Sequence, residues 1–306
     1  MKVQPLSDRI GVMVQGSGNG HDLDVDREAI IDLFKTHGLV MFRNFDVDLE
    51  GFSKFTSRFS TDYMNYKGGG YIRGVVKGHE ADTTLLSTRY DYGREKQDTF
   101  GLPLHGEMYY IDHRPVMLWF YCERPADSDG ETTVCDGSRV YEALSASTKE
   151  LFAKKRLKYM RTYLSGEWQH IYQTDKIEEA ERFCVDNGLR VNIDRASMTL
   201  NTEYVIAAVN KSRWGDRTAY INNLLPVLWQ ESMGRKTSIV RFEDGSTIPQ
   251  SVVDEVAAIQ ERFIFPVPWQ KKDFVMVDNT RVAHGRRAFQ DEERSVHLRM
   301  VRSVDF

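Results

Sequence analysis

Val116 to Cys122 reads Val-Met-Leu-Trp-Phe-Tyr-Cys, an apolar run with no polar break. It is far too short to cross a membrane, and it suits a β-strand covered on both faces. A strand of that kind forces the chain to build layers on either side of it. Other stretches have the same character. Leu39 to Phe45 reads as a buried strand, Asp129-Gly130 is a turn leading into a strand through Cys135, and Asp273 to Val277 and Val296 to Val301 are short strands. Tyr204 to Val209 and Thr218 to Asn222 read as a hairpin. Helical spacing appears at Asp24 to His37, through Phe52, Phe55 and Phe59, and over Tyr141 to Lys155, Lys176 to Val185 and Ser251 to Phe263. Many short strands in two groups, with helices at the ends and inserted between, predict a mainly β fold with α elements: a jelly roll, or double-stranded β-helix, with flanking and inserted helices.

The 306 residues show no repeat or low-complexity linker and are read as a single domain, 1–306. Residues 156–190 are expected to form a helical insertion. Residues 63–100 hold a glycine run, several tyrosines and scattered cations with little hydrophobic period, and a loop this long is expected to serve as an active-site lid. A net charge of −4 does not recommend nucleic acid as a partner. The three cysteines match no metal or disulfide pattern and read as buried thiols of a cytoplasmic protein without a signal peptide or membrane segment. The five tryptophans are assigned to core packing.

Chemistry enters at Leu104-His105-Gly106-Glu107. On an extended strand, residues two apart point the same way, so an imidazole and a carboxylate there can hold adjacent positions of a divalent metal. One more histidine would complete a two-His-one-carboxylate triad that leaves positions open for a co-substrate and dioxygen. His284, just past a strand in a glycine- and arginine-rich turn, is one candidate. Other histidines compete for the place, and spacing does not choose among them.

Leu104-His105-Gly106-Glu107, Asp129-Gly130-Glu131-Thr132 and the segment Asp278 to Arg286 together resemble the signature segments of the taurine dioxygenase-like family of iron(II)- and 2-oxoglutarate-dependent oxygenases. The likeness extends from about Gly38 to Arg302. It implies iron(II) held by His105, Glu107 and His284, with 2-oxoglutarate and dioxygen as co-substrates. Many members carry Asp where this chain has Glu107, and the Glu form is similar to the clavaminate synthase-like branch, which contains amino-acid hydroxylases. The resemblance implies that an arginine downstream of His284 binds the far carboxylate of 2-oxoglutarate. Arg294 and Arg299 are the candidates, Arg294 preferred, and Thr132 meets the same carboxylate through its hydroxyl. An odd separation of five places the two arginines on opposite faces of a regular strand, so one of them is expected to enter the pocket.

Arg286 and Arg287 are expected to tie down neighbouring carboxylates, and Asp278 and Asn279 to hold the turn. Arg73, Arg89 and Arg94 of the lid are candidates for binding an anionic group of the substrate. The leading reading is oxidation, foremost hydroxylation, of a small polar, amino-acid-like or natural-product molecule, free or bound to a carrier protein. Desaturation, epoxidation and ring closure use the same oxidant. Halogenation is disfavoured because a halide would need the position that Glu107 fills. The competing classes are a non-catalytic jelly-roll binding protein and a zinc hydrolase built on the same triad.

Overall fold

A computed structural model describes residues 2–18, 24–70, 73–90, 100–234, 237–291 and 293–306, with the side chains of 89 and 90 left aside. Two sheets form the jelly roll. The larger runs Lys2–Pro5, Val12–Gln15, Leu39–Arg43, Phe274–Asp278, Met117–Arg124, Ser295–Val301, Leu85–Tyr90 and Arg73–Val75, and Tyr63–Met64 also pairs onto Ser295–Val301. The smaller runs Phe265–Pro266, Thr132–Asp136, Val282–Arg286 and Leu102–His105.

The apolar run at Met117–Arg124 is the strand buried on both faces. Leu118, Phe120 and Cys122 join Val275, Val277, Val296, Leu298 and Met300 in the core on the side of the smaller sheet. Trp119 and Tyr121 join Phe42, Phe274, Phe52, Phe55 and Phe59 on the other side. The helix Leu49–Thr56 thus lays its phenylalanines on the outer face of the larger sheet, and Phe42 stacks on Phe274 at 4.7 Å between centroids. The helix Arg27–His37 starts where Asp26 accepts from the backbone N–H of Glu28 and Ala29. It ends at Gly38, whose φ of 71° suits a residue without Cβ.

Three sequence expectations are corrected. Residues 156–190 are not simply helical: Leu157–Tyr163 is an interior strand of a third sheet, ordered Arg190–Asp194, Thr199–Ile206, Leu157–Tyr163 and Ser238–Phe242. Helices are confined to Glu167–Tyr172 and Ile177–Asp186. The strand escapes an apolar count because Arg161 occupies one of its inward positions. The hairpin is Val209–Lys211 with Thr218–Tyr220, and Tyr204 belongs to the third sheet. Tyr141 to Lys155 is two helices, Gly137–Ala143 and Ala146–Lys154, because Ser145 caps the second one.

Of the expected lid, residues 71–72 and 91–99 lie outside the described residues. Its described strands extend the edge of the larger sheet. No described helix is long and apolar enough to cross a membrane. Cys122, Cys135 and Cys184 are buried and free, and burial pushes the Cys122 and Cys135 thiols up to about 12.

Candidate metal centre

Val282–Arg286 is an interior strand of the smaller sheet, and its register places His284 opposite both Val134 and His105. Residues directly opposite in an antiparallel pair share a face. The two imidazoles therefore meet, with ring centroids 4.4 Å apart. His284 lies within a strand rather than in the turn expected for it. Val282 and Ala283 pack in the core, and the pairing continues through Gly285.

Glu107 departs from the simple strand geometry. The strand Leu102–His105 ends at His105, and Glu107 stands in the turn beyond, just before Met108 with φ 59°. A second device brings its carboxylate back. Asn279, fully buried, accepts from the Glu107 N–H at 2.8 Å and donates to the Glu107 carbonyl at 3.1 Å and to the Pro115 carbonyl at 2.7 Å. Gly106 must be glycine, because a Cβ there would lie 2.4 Å from the Tyr109 ring.

His105, Glu107 and His284 are all buried, and they offer one ligand atom each within 4.8 Å of one another. Their protonation suits a metal. Burial and the neighbouring His284 lower the His105 pKa to about 3, so its ring is neutral. His105 Nδ1 lies 2.9 Å from the Pro103 carbonyl, a contact that places the proton on Nδ1 and the lone pair on Nε2. Burial alone would raise the Glu107 pKa, but Arg73 and His284 outweigh it and hold the carboxyl well below the usual range. Arg73 Nη2 is 3.2 Å from Glu107 Oε2, His284 Nε2 is 3.5 Å from the same oxygen, and the Tyr66 hydroxyl donates to Oε1 at 3.0 Å. Two imidazoles and one ionised carboxylate, dry and convergent, fit iron(II).

Two small cavities flank this cluster. The first is lined by His105, His284, Phe120, Thr132, Arg73 and Arg294 among others. Arg294 is 3% exposed and donates through Nε to the Gly130 carbonyl at 2.6 Å and through Nη2 to Thr132 Oγ1 at 3.3 Å. Thr132 Oγ1 also accepts from Trp269 Nε1 at 2.9 Å, so this tryptophan orients a hydroxyl of the site as well as packing.

Arg299, the other candidate for 2-oxoglutarate, is not in this cavity. Val296, Leu298 and Met300 face the smaller sheet, whereas Arg299 and Val301 face the helix Leu49–Thr56. Arg299 donates there to the Ser53 carbonyl and Thr56 Oγ1, and lies over the Tyr63 ring at 3.7 Å. Arg73 is brought against Glu107. The side chain of Arg89 and all of Arg94 lie outside the described residues. Arg287 pairs with Glu261 at 2.8 Å as expected. Arg286 instead lines the Arg294 cavity and donates to the Phe100 carbonyl at 3.1 Å.

The second cavity is lined by His105, Glu107, Tyr66, Tyr110, Arg161, Asn223 and Gln230 among others. Sequence reasoning passed over the last three. The available signal for Arg161 was its place in the alternating row Leu157, Tyr159, Arg161, Tyr163, and that row becomes legible once the strand is known.

A jelly roll carrying a buried two-His-one-carboxylate cluster beside an arginine-lined cavity defines the non-haem iron oxygenase class. Residues 2–302 match the model of the taurine catabolism dioxygenase TauD, TfdA family, and the chain belongs to that family. It is an iron(II)- and 2-oxoglutarate-dependent dioxygenase. The chain is 26% identical over 277 residues to a clavaminate synthase-like protein of Arabidopsis thaliana, covering 86% of this chain and 81% of that one. It is 25% identical over 295 residues to the dapdiamide synthesis protein DdaC of Enterobacter agglomerans, covering 90% and 85%. Its fold is similar to that of PvcB from Pseudomonas aeruginosa, with a TM-score of 0.60 and 16% identity over 98% of this chain and 90% of that one.

Proposed function

We propose that His105, Glu107 and His284 hold iron(II), that Arg294 and Thr132 hold the far carboxylate of 2-oxoglutarate, and that the enzyme hydroxylates a small polar molecule. The observation that carries this reading is a buried triad two of whose members, His105 and His284, line one cavity with Arg294 and Thr132. A planar guanidinium matches a carboxylate in two parallel hydrogen bonds, and a zinc hydrolase or a mere binding protein would have no use for that arrangement. When bound, iron and 2-oxoglutarate supply an oxidation in which one oxygen atom of dioxygen goes to succinate, formed with CO2, and the other to the substrate.

The chain's own part is placement. Arg73 and Tyr66 keep Glu107 ionised and oriented, Asn279 holds its backbone, and the Pro103 carbonyl sets the His105 tautomer. Because Glu107 fills the third protein position, halide has no place, and hydroxylation is favoured over halogenation. The substrate enters from the side of Tyr66, Tyr110 and the third sheet, with the described part of residues 63–90 and the strand Leu157–Tyr163 walling one catalytic unit. DdaC is named for dapdiamide synthesis, and PvcB is described as an oxygenase from an isonitrile pathway. Those names support a natural-product substrate here; that it is free or bound to a carrier, and met in the cytoplasm, is part of the same proposal.

Anaerobic addition of iron(II) and 2-oxoglutarate is expected to produce a visible charge-transfer band, and admission of oxygen is expected to release succinate. Absence of both overturns the proposal.

A further inference from the structure

We infer that Tyr66, Tyr110 and the Gly70 N–H form a hydrogen-bond chain that keeps one oxygen of Glu107 off the metal, so that Glu107 binds through the other alone and a position stays open for dioxygen. The inference rests on the oxygenase reading above and assigns two positioning residues to it.

A carboxylate can hold a metal through one oxygen or through both. Which of these Glu107 does decides what else the centre can take. A facial triad serves an oxygenase through the positions it leaves open, and a chelating carboxylate fills one of them. Glu107 has a longer side chain than an aspartate, and it stands in a turn beyond the strand Leu102–His105. Asn279 fixes its backbone N–H and carbonyl, which leaves the two side-chain oxygens to be placed by other groups.

The two oxygens have different surroundings. Oε2 is 3.5 Å from His284 Nε2, on the side where the ligand atoms converge. Arg73 Nη2 is 3.2 Å from the same oxygen, and an ionised carboxylate oxygen has a lone pair for each of two partners. Oε1 instead ends a chain. It accepts from the Tyr66 hydroxyl at 3.0 Å, and the Tyr66 and Tyr110 hydroxyls are 3.3 Å apart. The Gly70 N–H donates to the Tyr110 hydroxyl at 2.7 Å. As a metal ligand Glu107 carries no proton. Tyr66 therefore donates its one O–H to Oε1, and Tyr110 donates to Tyr66. The chain points one way, from a backbone N–H to a carboxylate oxygen.

Both tyrosines are buried and clamped. The Arg73 guanidinium carbon lies 4.6 Å from the centroid of the Tyr66 ring, and that of Arg161 lies 3.5 Å from the Tyr110 ring. The glycine run of residues 68–70, read from the sequence as part of a lid, leaves room for them. A Cβ at Gly69 would run into the Tyr66 ring, and one at Gly70 would stand 3.2 Å from the Tyr110 hydroxyl. The Gly68 N–H donates to the Ile171 carbonyl at 2.8 Å, which ties the run to the helix Glu167–Tyr172. Glu107 accordingly lines the cavity that holds Tyr66 and Tyr110 and not the one that holds Thr132 and Arg294, whereas His105 lines both.

The test uses the full-length enzyme with iron(II) and 2-oxoglutarate, and nitric oxide as the probe. Nitric oxide takes the position meant for dioxygen, and its iron complex is read by electron paramagnetic resonance without turnover. Tyr66→Phe removes the hydroxyl and keeps the ring. It should raise the nitric oxide concentration for half-saturation about tenfold or more, the scale of a lost hydrogen bond to a charged group. Tyr110→Phe removes no contact of Glu107, and it should shift the same value in the same direction by about threefold, the scale of a neutral bond. Iron(II) affinity should be no lower in either variant, because chelation adds a donor. The visible band, recorded before nitric oxide is added, reports that each variant has assembled its centre. A Tyr66→Phe enzyme that binds nitric oxide as the parent does overturns the inference and leaves the oxygenase reading standing. So does one that binds iron(II) more weakly, since Tyr66 would then decide whether Glu107 binds and not through how many oxygens. A Tyr110→Phe enzyme without any shift overturns the chain. No band in the parent enzyme overturns the oxygenase reading itself.

Discussion

The metal centre has two unlike walls. The smaller sheet forms one, and there the hydrogen-bond ladder does the positioning: His284 faces His105 because their strands pair in that register. The other is assembled from side chains of separate elements, with Tyr66 and Tyr110 close to the triad, Arg161 on the third sheet, and Asn223 and Gln230 at the helix Leu224–Ser232. A ladder places ligands to within a bond length and fails only when its register slips. Side chains gathered from separate elements can be exchanged one at a time without moving the ladder. The contrast teaches that one wall can keep its chemistry while the other changes what is recognised.

Removing a ligand should break the first wall most severely. His284→Ala is expected to lower iron affinity by more than about 100-fold, since even partners outside the ligand shell are worth up to that much. Iron content after gel filtration and the anaerobic visible band measure this, and an unaltered circular dichroism spectrum would show that the ladder survives. A variant that retains iron would refute the triad.

The next effect separates the two arginines five residues apart. Arg294→Ala should raise the KM for 2-oxoglutarate about 100-fold, as expected for loss of a buried charge partner. Arg299→Ala should leave that KM within about twofold, because Arg299 lies under the helix Leu49–Thr56. It should instead lower unfolding stability by ~2–4 kcal/mol, the usual scale for losing a buried, hydrogen-bonded charge. Steady-state kinetics and urea unfolding of the pair decide it.

The smallest expected effect concerns Asp278, the last residue of the strand Phe274–Asp278. It accepts from the Thr280 N–H at 2.8 Å and the Thr280 hydroxyl at 2.6 Å, and burial raises its pKa to about 6. The folded state therefore holds this proton more tightly than the unfolded chain, so the stability it contributes is complete below about pH 4 and is lost as pH rises through about 6. Asp278→Asn, which imitates the protonated form, should be more stable than the parent by ~2 kcal/mol at pH 7.5 and equal to it below pH 4. Urea unfolding at the two pH values checks this. A destabilised variant at pH 7.5 would mean that the wall depends on the charge as well as on the ladder.

Much of the jelly roll that carries the first wall was legible in the chain. The apolar run at Val116 to Cys122 announced a sheet covered on both faces, and the phenylalanines at 52, 55 and 59 announced the helix that covers one of them. Parity predicts that one of Arg294 and Arg299 enters the pocket; Arg294 lines the cavity, but from just before the strand Ser295–Val301, whose register shifts between Ser295 and Val296. The geometry given to Glu107 was too simple, because the strand stops at His105 and a distant asparagine returns the carboxylate. That tie joins residues 172 apart in sequence, and no local pattern signals it.

The second wall was hardly legible. The lid arginines drew attention as cations in a polar loop, while Arg161 was hidden in a stretch that looked like a helical insertion. Local sequence determined the strands of the jelly roll and the place of His105 at the end of one of them. Those follow from a period of two and from residue type, which neighbouring positions already contain. The tertiary structure decided which buried polar groups converge, since an arginine in an apolar row acquires meaning from what lies across the cavity. That neighbour comes from another part of the chain, and packing brings it there.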